Sequence, residues 1–193
     1  MLTREDLWTL EAYSRERPAF RARVMAHKRL RTVHVGEHLT LLFEDRLTIH
    51  YQVQEMLRIE KIFESSAIQD ELAAYTPLIP DGDNWKATLL IEYADVAERG
   101  QMLARLKGIE RALWVQVEGF PPLFAIADED LERETEDKTS AVHFLRYTVP
   151  LVQQHALHRG ASLLAGVTHP AYPHEAMPVA EPTRQSLVGD LLQ

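Results

Sequence analysis

Trp85-Lys86-Ala87-Thr88-Leu89-Leu90-Ile91-Glu92-Tyr93 is the stretch that decides the fold. Trp85, Ala87, Leu89, Ile91 and Tyr93 alternate with Lys86, Thr88 and Glu92. Successive side chains of a strand point to opposite faces, so this period of two predicts a half-buried strand with Trp85, Leu89 and Ile91 inside. Upstream, Pro77, Pro80 and Asp81-Gly82-Asp83-Asn84 mark the turn that feeds it. Downstream, Asp95 with Glu98 predicts a capped helix through Leu106, ended by Gly108.

The remaining segments follow the same logic. Thr3 and Asp6 form a capping box, with Leu2 and Leu7 spaced as a staple for a first helix. Pro18 suits the first turn of a second helix reaching about Leu30, since its missing N–H costs nothing there. Thr32–Val35 and His38–Phe43 flank Gly36-Glu37 as a hairpin. The segment from Asp45 to Phe63 is rich in helix formers and reads as one helix, although Leu47, Ile49, Tyr51 and Val53 alternate. Ser66 with Gln69 caps another helix.

Strands are expected at Ala112–Val117, Leu123–Ala127, Ser140–Val149 and Ser162–Thr168, with a short helix between Pro150 and Gly160. Few of these strands have a helix between them, so an α+β fold is expected: a mainly antiparallel sheet, helices packed on one side, and N-terminal helices. Residues 1–172 are expected to form that domain. Residues 173–193, with Pro173, Pro178 and Pro182, are expected to be an extended, Pro-rich tail carrying at most a short helix.

Composition narrows the chemistry. At 193 residues the chain is long enough for one substantial core, and 46% hydrophobic with 26% charged residues is the balance of a globular protein. The absence of cysteine excludes a disulfide framework, a thiolate-ligated cluster or zinc site and a thiol nucleophile. No apolar leader follows Met1 and no apolar run is long enough to span a bilayer, so a cytoplasmic protein is expected. A net charge of −8 argues against general nucleic-acid or anionic-membrane binding. The charge is uneven, however. Arg15, Arg17, Arg21, Arg23, Lys28, Arg29 and Arg31 meet only Glu16 in their run, and Asp128 to Asp137 is almost wholly acidic. Two solvated segments are the plain reading; docking of one on the other, within the chain or across a dimer, is the sharper one.

Standard catalytic and nucleotide signatures are missing: no P-loop, no GxGxxG after a strand, no GxSxG and no HExxH. Histidine is the enriched reactive type, with nine. Any bound transition metal would use imidazole and carboxylate, which suits iron, manganese or zinc. His155 and His158, and His34 and His38, are suggestively spaced, though surface histidines have the same spacing. On a helix Tyr51, Glu55 and Arg58 fall within one turn, and Glu55 can pair with Arg58. The apolar residues of that helix scatter around it, implying burial on more than one side. His143 and Arg146 point to opposite faces of their strand.

His27-Lys28-Arg29-Leu30-Arg31, Leu41-Leu42-Phe43-Glu44, Tyr51-Gln52-Val53-Gln54-Glu55-Met56-Leu57-Arg58-Ile59-Glu60, Ala87-Thr88-Leu89-Leu90-Ile91-Glu92, Ala141-Val142-His143-Phe144-Leu145-Arg146-Tyr147 and His169-Pro170-Ala171-Tyr172 together resemble the uncharacterised bacterial domain-of-unknown-function family 3501. Thr168 stands where the resemblance leads one to expect an acidic residue. The resemblance implies a redox or oxidative-stress setting, with partners of the rubrerythrin or iron–sulfur oxidoreductase type. The blocks that carry it supply the candidate ligand-binding residues Tyr51, Gln52, Glu55, Arg58, His143, Arg146 and His169. Lys28, Arg29 and Arg31 are the candidates for an anion or partner, and Glu55, His143 and His169 for a metal. The expected role is an accessory or ligand-binding protein of such a system; the alternatives are an enzyme with a His/carboxylate site, and a structural homo-oligomer.

Overall fold

The predicted strand lies at the centre of a sheet. In the computed structural model, which describes residues 2–127, 129 and 133–192 (side chains of 173–175 excepted), β3 spans Asn84–Ile91. Trp85, Leu89 and Ile91 are buried on its inner face. It pairs antiparallel with β2 (Leu39–Glu44) on one side and β7 (Val142–Thr148) on the other. β1 (Thr32–Val35) and β6 (Ile126–Ala127) complete five strands in the order β1-β2-β3-β7-β6. A second antiparallel sheet has the order β5-β4-β8-β9, from β4 (Leu113–Val117), β5 (Leu123–Phe124), β8 (Leu163–His169) and β9 (Tyr172–Pro178). The fold is therefore α+β, with the strands divided between two sheets.

Both sheets contribute their inward rows to one core, in which Leu41, Phe43 and Leu89 of the first join Val115, Ala165 and Val167 of the second. Two glycines make this geometry affordable. Gly36 takes φ +72° in the β1–β2 turn, a conformation that favours glycine. Gly166 on β8 lies against the Trp114 indole, where any Cβ would collide with the ring.

The helices are α1 (Leu10–Arg29), α2 (Arg46–Ile59), α3 (Ser65–Tyr75), α4 (Val96–Arg105), α5 (Ile109–Ala112), α6 (Leu151–His158) and α7 (Glu181–Val188). Asp45 caps α2 by accepting from Leu47 and Thr48 N–H, and Asp95 caps α4 by accepting from Glu98 N–H, the latter as its local sequence predicts.

Three local readings are corrected. The Thr3–Asp6 capping box encloses only a 3₁₀ turn, Arg4–Asp6, and α1 then runs unbroken through Pro18 from its cap at Thr9. Proline inside a helix costs about 3 kcal/mol. Here Ser14, whose carbonyl loses its partner, is exposed and can be solvated, and the burial of Tyr13, Phe20 and Val24 on both sides of Pro18 holds one helix together. α3 starts at Ser65 with no side-chain cap, so Ser66 is already helical.

The third correction concerns residues 173–193. They are not a loose tail: β9 pairs with β8, and α7 sends Leu187 into the main core, joined there by Leu191 just beyond the helix. β9 is the edge strand of its sheet, where a proline need not interrupt a ladder on its outer side.

The charge runs do not dock on one another within the chain as far as the described residues go. Glu129 pairs with Arg146 and Glu134 lies 3.8 Å from Lys107, while Arg17 pairs with Glu55 and Arg31 with Asp45 and Asp190. Asp128, Asp130 and Glu132 lie outside the described residues.

Candidate functional site

α2 is buried on two sides, as its scattered apolar residues predict. Ile49, Val53 and Leu57 join Leu2, Leu7, Ile68 and Leu72, while Leu47 and Tyr51 pack against Tyr13, Phe20 and Val24 of α1. Glu55 sits at the α1–α2 seam. Its Oε1 accepts from the Tyr13 hydroxyl at 2.7 Å and from Arg17 Nε at 2.7 Å, and its Oε2 accepts from Arg17 Nη2 at 2.9 Å. Arg58 approaches both oxygens at 3.4 and 3.3 Å. Arg17, above all, holds the carboxyl down to about 2. Tyr51 lies 5.9 Å under the Lys28 ammonium, and Gln52 lies near the Tyr75 phenol. Both oxygens of Glu55 are occupied by donors, so this group is a polar clasp between helices.

The clasp has a pH signature. A carboxyl whose folded pKa is depressed contributes stability above its ordinary value near 4.5, and loses it as pH falls through 4.5 toward about 2. We expect Glu55→Gln to lower stability by about 1–3 kcal/mol at pH 7, with the difference from wild type shrinking as urea melts are taken from pH 5 to pH 3.

The histidine candidates lie elsewhere. His143 is fully buried on the inner face of β7, its Nε2 2.8 Å from Thr139 Oγ1 and 3.0 Å from the Ser140 carbonyl oxygen. His169 Nε2 donates to the Lys107 carbonyl oxygen at 2.9 Å, and its Nδ1 accepts from Ala171 N–H at 3.2 Å. Each imidazole secures a turn. A shared pocket of Gln52, Glu55 and Arg58 with His143 and His169 is therefore not formed, and Glu55, His143 and His169 do not make one ligand set. Among the described residues no three His, Asp or Glu side chains gather as a metal site would need.

Arg31 is corrected as well. It is 1% exposed and bonds the Phe43 and Glu44 carbonyl oxygens, Ser186 and Asp190, so it offers nothing to an external anion. Lys28 and Arg29 remain at the surface of α1.

Of the candidates, Arg146 lines a groove. On the outer face of the five-stranded sheet, Lys86, Phe144 and Arg146 face Pro77 and Leu78 across a space of about 300 Å³. Strand register explains the convergence: Glu44 is opposite Lys86, and Lys86 is opposite Arg146, so the three form one row across β2, β3 and β7. Arg146 forks onto Glu129, Nε to Oε2 at 2.7 Å and Nη2 to Oε1 at 2.8 Å, while its Nη1 donates to Thr148 at 2.6 Å. The pair lowers the Glu129 pKa and raises that of Arg146. Lys86 meets no carboxylate within ion-pair distance among the described residues, and the Arg133 guanidinium lies 4.6 Å over the Phe144 ring. At the buried end of the row Glu44 accepts from the Thr88 hydroxyl at 2.7 Å through Oε1, and its Oε2 meets no donor among the described residues.

This is a site of recognisable type: a guanidinium fork and an ammonium at the edge of an apolar floor. Lys86, Glu129, Phe144 and Leu78 were missed in the sequence. Lys86 and Phe144 fall on the outer face by strand parity, but only the β3–β7 register places them beside Arg146.

The family model described as "Protein of unknown function (DUF3501)" matches residues 1–191. The chain belongs to the DUF3501 family. A crystal structure of a novel protein of unknown function from Burkholderia pseudomallei K96243 is similar to this DUF3501 protein at 53% identity and a TM-score of 0.94, over 98% of both chains. No curated protein matches. Among the described residues of the DUF3501 chain, no helix is long and apolar enough to cross a membrane.

Proposed function

We propose that this DUF3501 protein is a ligand-binding accessory protein whose outer-face groove takes an apolar molecule bearing one carboxylate. The observation that carries the reading is the Arg146–Glu129 fork: a carboxylate already sits, in bidentate geometry, where the groove's guanidinium meets its apolar floor. Glu129 is 50% exposed, so this intramolecular pair is worth little, about 0–1 kcal/mol, and a ligand carboxylate can replace it. Lys86 adds a second positive charge, and Leu78, Pro77 and Phe144 receive the apolar part. A space of about 300 Å³ suits a small molecule and not a long lipid chain. The family resemblance supports placing this role in a redox system, alongside proteins of the rubrerythrin or iron–sulfur oxidoreductase type, and we place it in the cytoplasm.

Octanoate is a suitable probe. Calorimetric titration is expected to show saturable binding of octanoate and none of octanol at equal concentration. Arg146→Gln is expected to weaken octanoate at least tenfold, about 1.4 kcal/mol, because a neutral amide cannot fork onto a carboxylate. Equal binding of octanoate and octanol would remove the case for the cationic edge.

A further inference from the structure

At the far end of the same sheet face, past Leu90 and Val142, a second groove of about 660 Å³ opens beside His38, Tyr93 and Arg99. Its wall is a stacked pair: the His38 imidazole lies 3.9 Å from the Tyr93 ring centre at an interplanar angle of 17°. The turn carrying His38 is held in place. Tyr172 donates its hydroxyl to the Val35 carbonyl oxygen at 3.0 Å and accepts from His38 N–H at 3.1 Å, and Glu92 N–H donates to the His38 carbonyl oxygen at 2.8 Å. His38 Nδ1 is 2.9 Å from the Glu92 carbonyl oxygen. A carbonyl oxygen only accepts, so in the neutral ring Nδ1 carries the proton and Nε2 is the acceptor.

Arg99 supplies the charge. Arg17, Arg31, Arg146 and Arg184 all bond carboxylates, but Arg99 reaches only the Tyr93 carbonyl oxygen, at 3.5 Å, and meets no carboxylate among the described residues. Glu92 also lines the groove, and its Oε2 accepts the Thr40 hydroxyl at 2.6 Å. An anion entering here is thus steered from Glu92 to Arg99. The groove combines a flat aromatic wall, an imidazole acceptor, an apolar floor and one cation.

We propose that this second groove binds a planar heteroaromatic ring joined to a single anionic group, the chemistry of a nucleoside monophosphate. The ring stacks on His38, whose partner Tyr93 backs it, as a base stacks on an aromatic side chain. The acid group pairs with Arg99. His38 Nε2 accepts from a ligand hydroxyl. One guanidinium matches one acid group and not a phosphate chain, which agrees with the absence of a P-loop.

The test separates the two halves of the ligand by titrating the whole chain with AMP, adenosine and inorganic phosphate, followed by amide NMR shifts. AMP is expected to bind at least tenfold more tightly than either fragment, with shifts at Tyr93, Arg99 and Val142. Arg99→Gln, whose side chain makes only the one long bond, is expected to weaken AMP at least tenfold while leaving adenosine unchanged. His38→Ala, checked for folding by its amide spectrum, is expected to weaken both. Arg146→Gln is expected to leave AMP binding intact, which keeps this site independent of the first groove. AMP that binds no better than phosphate, or that survives Arg99→Gln undiminished, overturns the proposal.

Discussion

Replacing Arg31 with methionine is expected to lower the unfolding free energy by about 3–5 kcal/mol, the usual cost of breaking a buried ion pair from one side. The side chain is 1% exposed and spends its donors within the protein. Nε donates to the Phe43 carbonyl oxygen at 2.9 Å and Nη2 to the Glu44 carbonyl oxygen at 3.1 Å, joining the end of α1 to β2. Nη1 reaches Ser186 Oγ at 3.2 Å, and Nη2 pairs with Asp190, joining both to the C-terminal helix. Asp45, 3.6 Å from Nε, is also held 2.5 Å from His27 Nε2. Methionine fills similar volume but makes none of the bonds to the Phe43 and Glu44 carbonyl oxygens. It also leaves the carboxyl of Asp190, already pushed up by burial, without its cation. Urea melts at pH 7 measure the loss, and Arg29→Met, two residues away at the surface, should stay within about 0.5 kcal/mol of wild type. A cost for Arg31→Met as small as that of Arg29→Met would contradict the network.

Trp85→Ala is expected to cost a further large amount, about 3–5 kcal/mol as a single variant. Trp85 is fully buried at the start of β3, opposite Tyr147 in register and edge-on to Phe43 at 6.2 Å. Its indole N–H donates to the Leu187 carbonyl oxygen at 2.8 Å, which also accepts from Asp190 N–H at 3.1 Å, so truncation opens a cavity and removes one of two donors near the end of α7. Trp85→Phe separates the two effects: most of the apolar contact returns, and the residual cost should fall to about 0.5–1.5 kcal/mol for the lost hydrogen bond. Circular dichroism is the proper readout, since the substitution removes a fluorophore. A loss below about 1 kcal/mol for the alanine variant would mean that β3 is not the centre of the core.

Both variants act on α7, the element least legible in the sequence. What the chain announces well is local. The alternation of Trp85 to Tyr93, the helix start near Asp45, the cap at Asp95 and the Gly36 turn each depend on neighbours a few residues apart, and each forms as read. What it conceals is long-range. Prolines at 173 and 178 read as breakers because nothing nearby says that β9 will be an edge strand. Pro18 reads as a helix start because the aromatic packing that carries α1 across it comes from Trp8 and α2. Arg31 looks like part of an exposed basic run until residues 186 and 190 arrive to bury it.

The candidate site divides along the same line. Glu55 with Arg58 is a helical i, i+3 pair and was legible, but its stronger partners Tyr13 and Arg17 come from another helix. His143 and His169 share chemistry, not place, since each ring is used up by nearby backbone or a neighbouring hydroxyl. Arg146 was legible as a strand cation. Its meaning depends on Lys86 across the strand pair, Leu78 from the turn after α3, and Glu129 from the acidic run.

The central claim is that the Arg146 groove holds a carboxylate ligand, and the side-chain Nε–H signal of Arg146 reports on it most directly. In proton–nitrogen correlation spectra, titration with octanoate should move that signal together with the backbone amides of Lys86 and Phe144, as the ligand takes the place of Glu129. The Arg99 signal should stay where it is. Saturating octanoate that leaves Arg146 Nε–H unmoved, or that shifts residues away from this groove, would contradict the account.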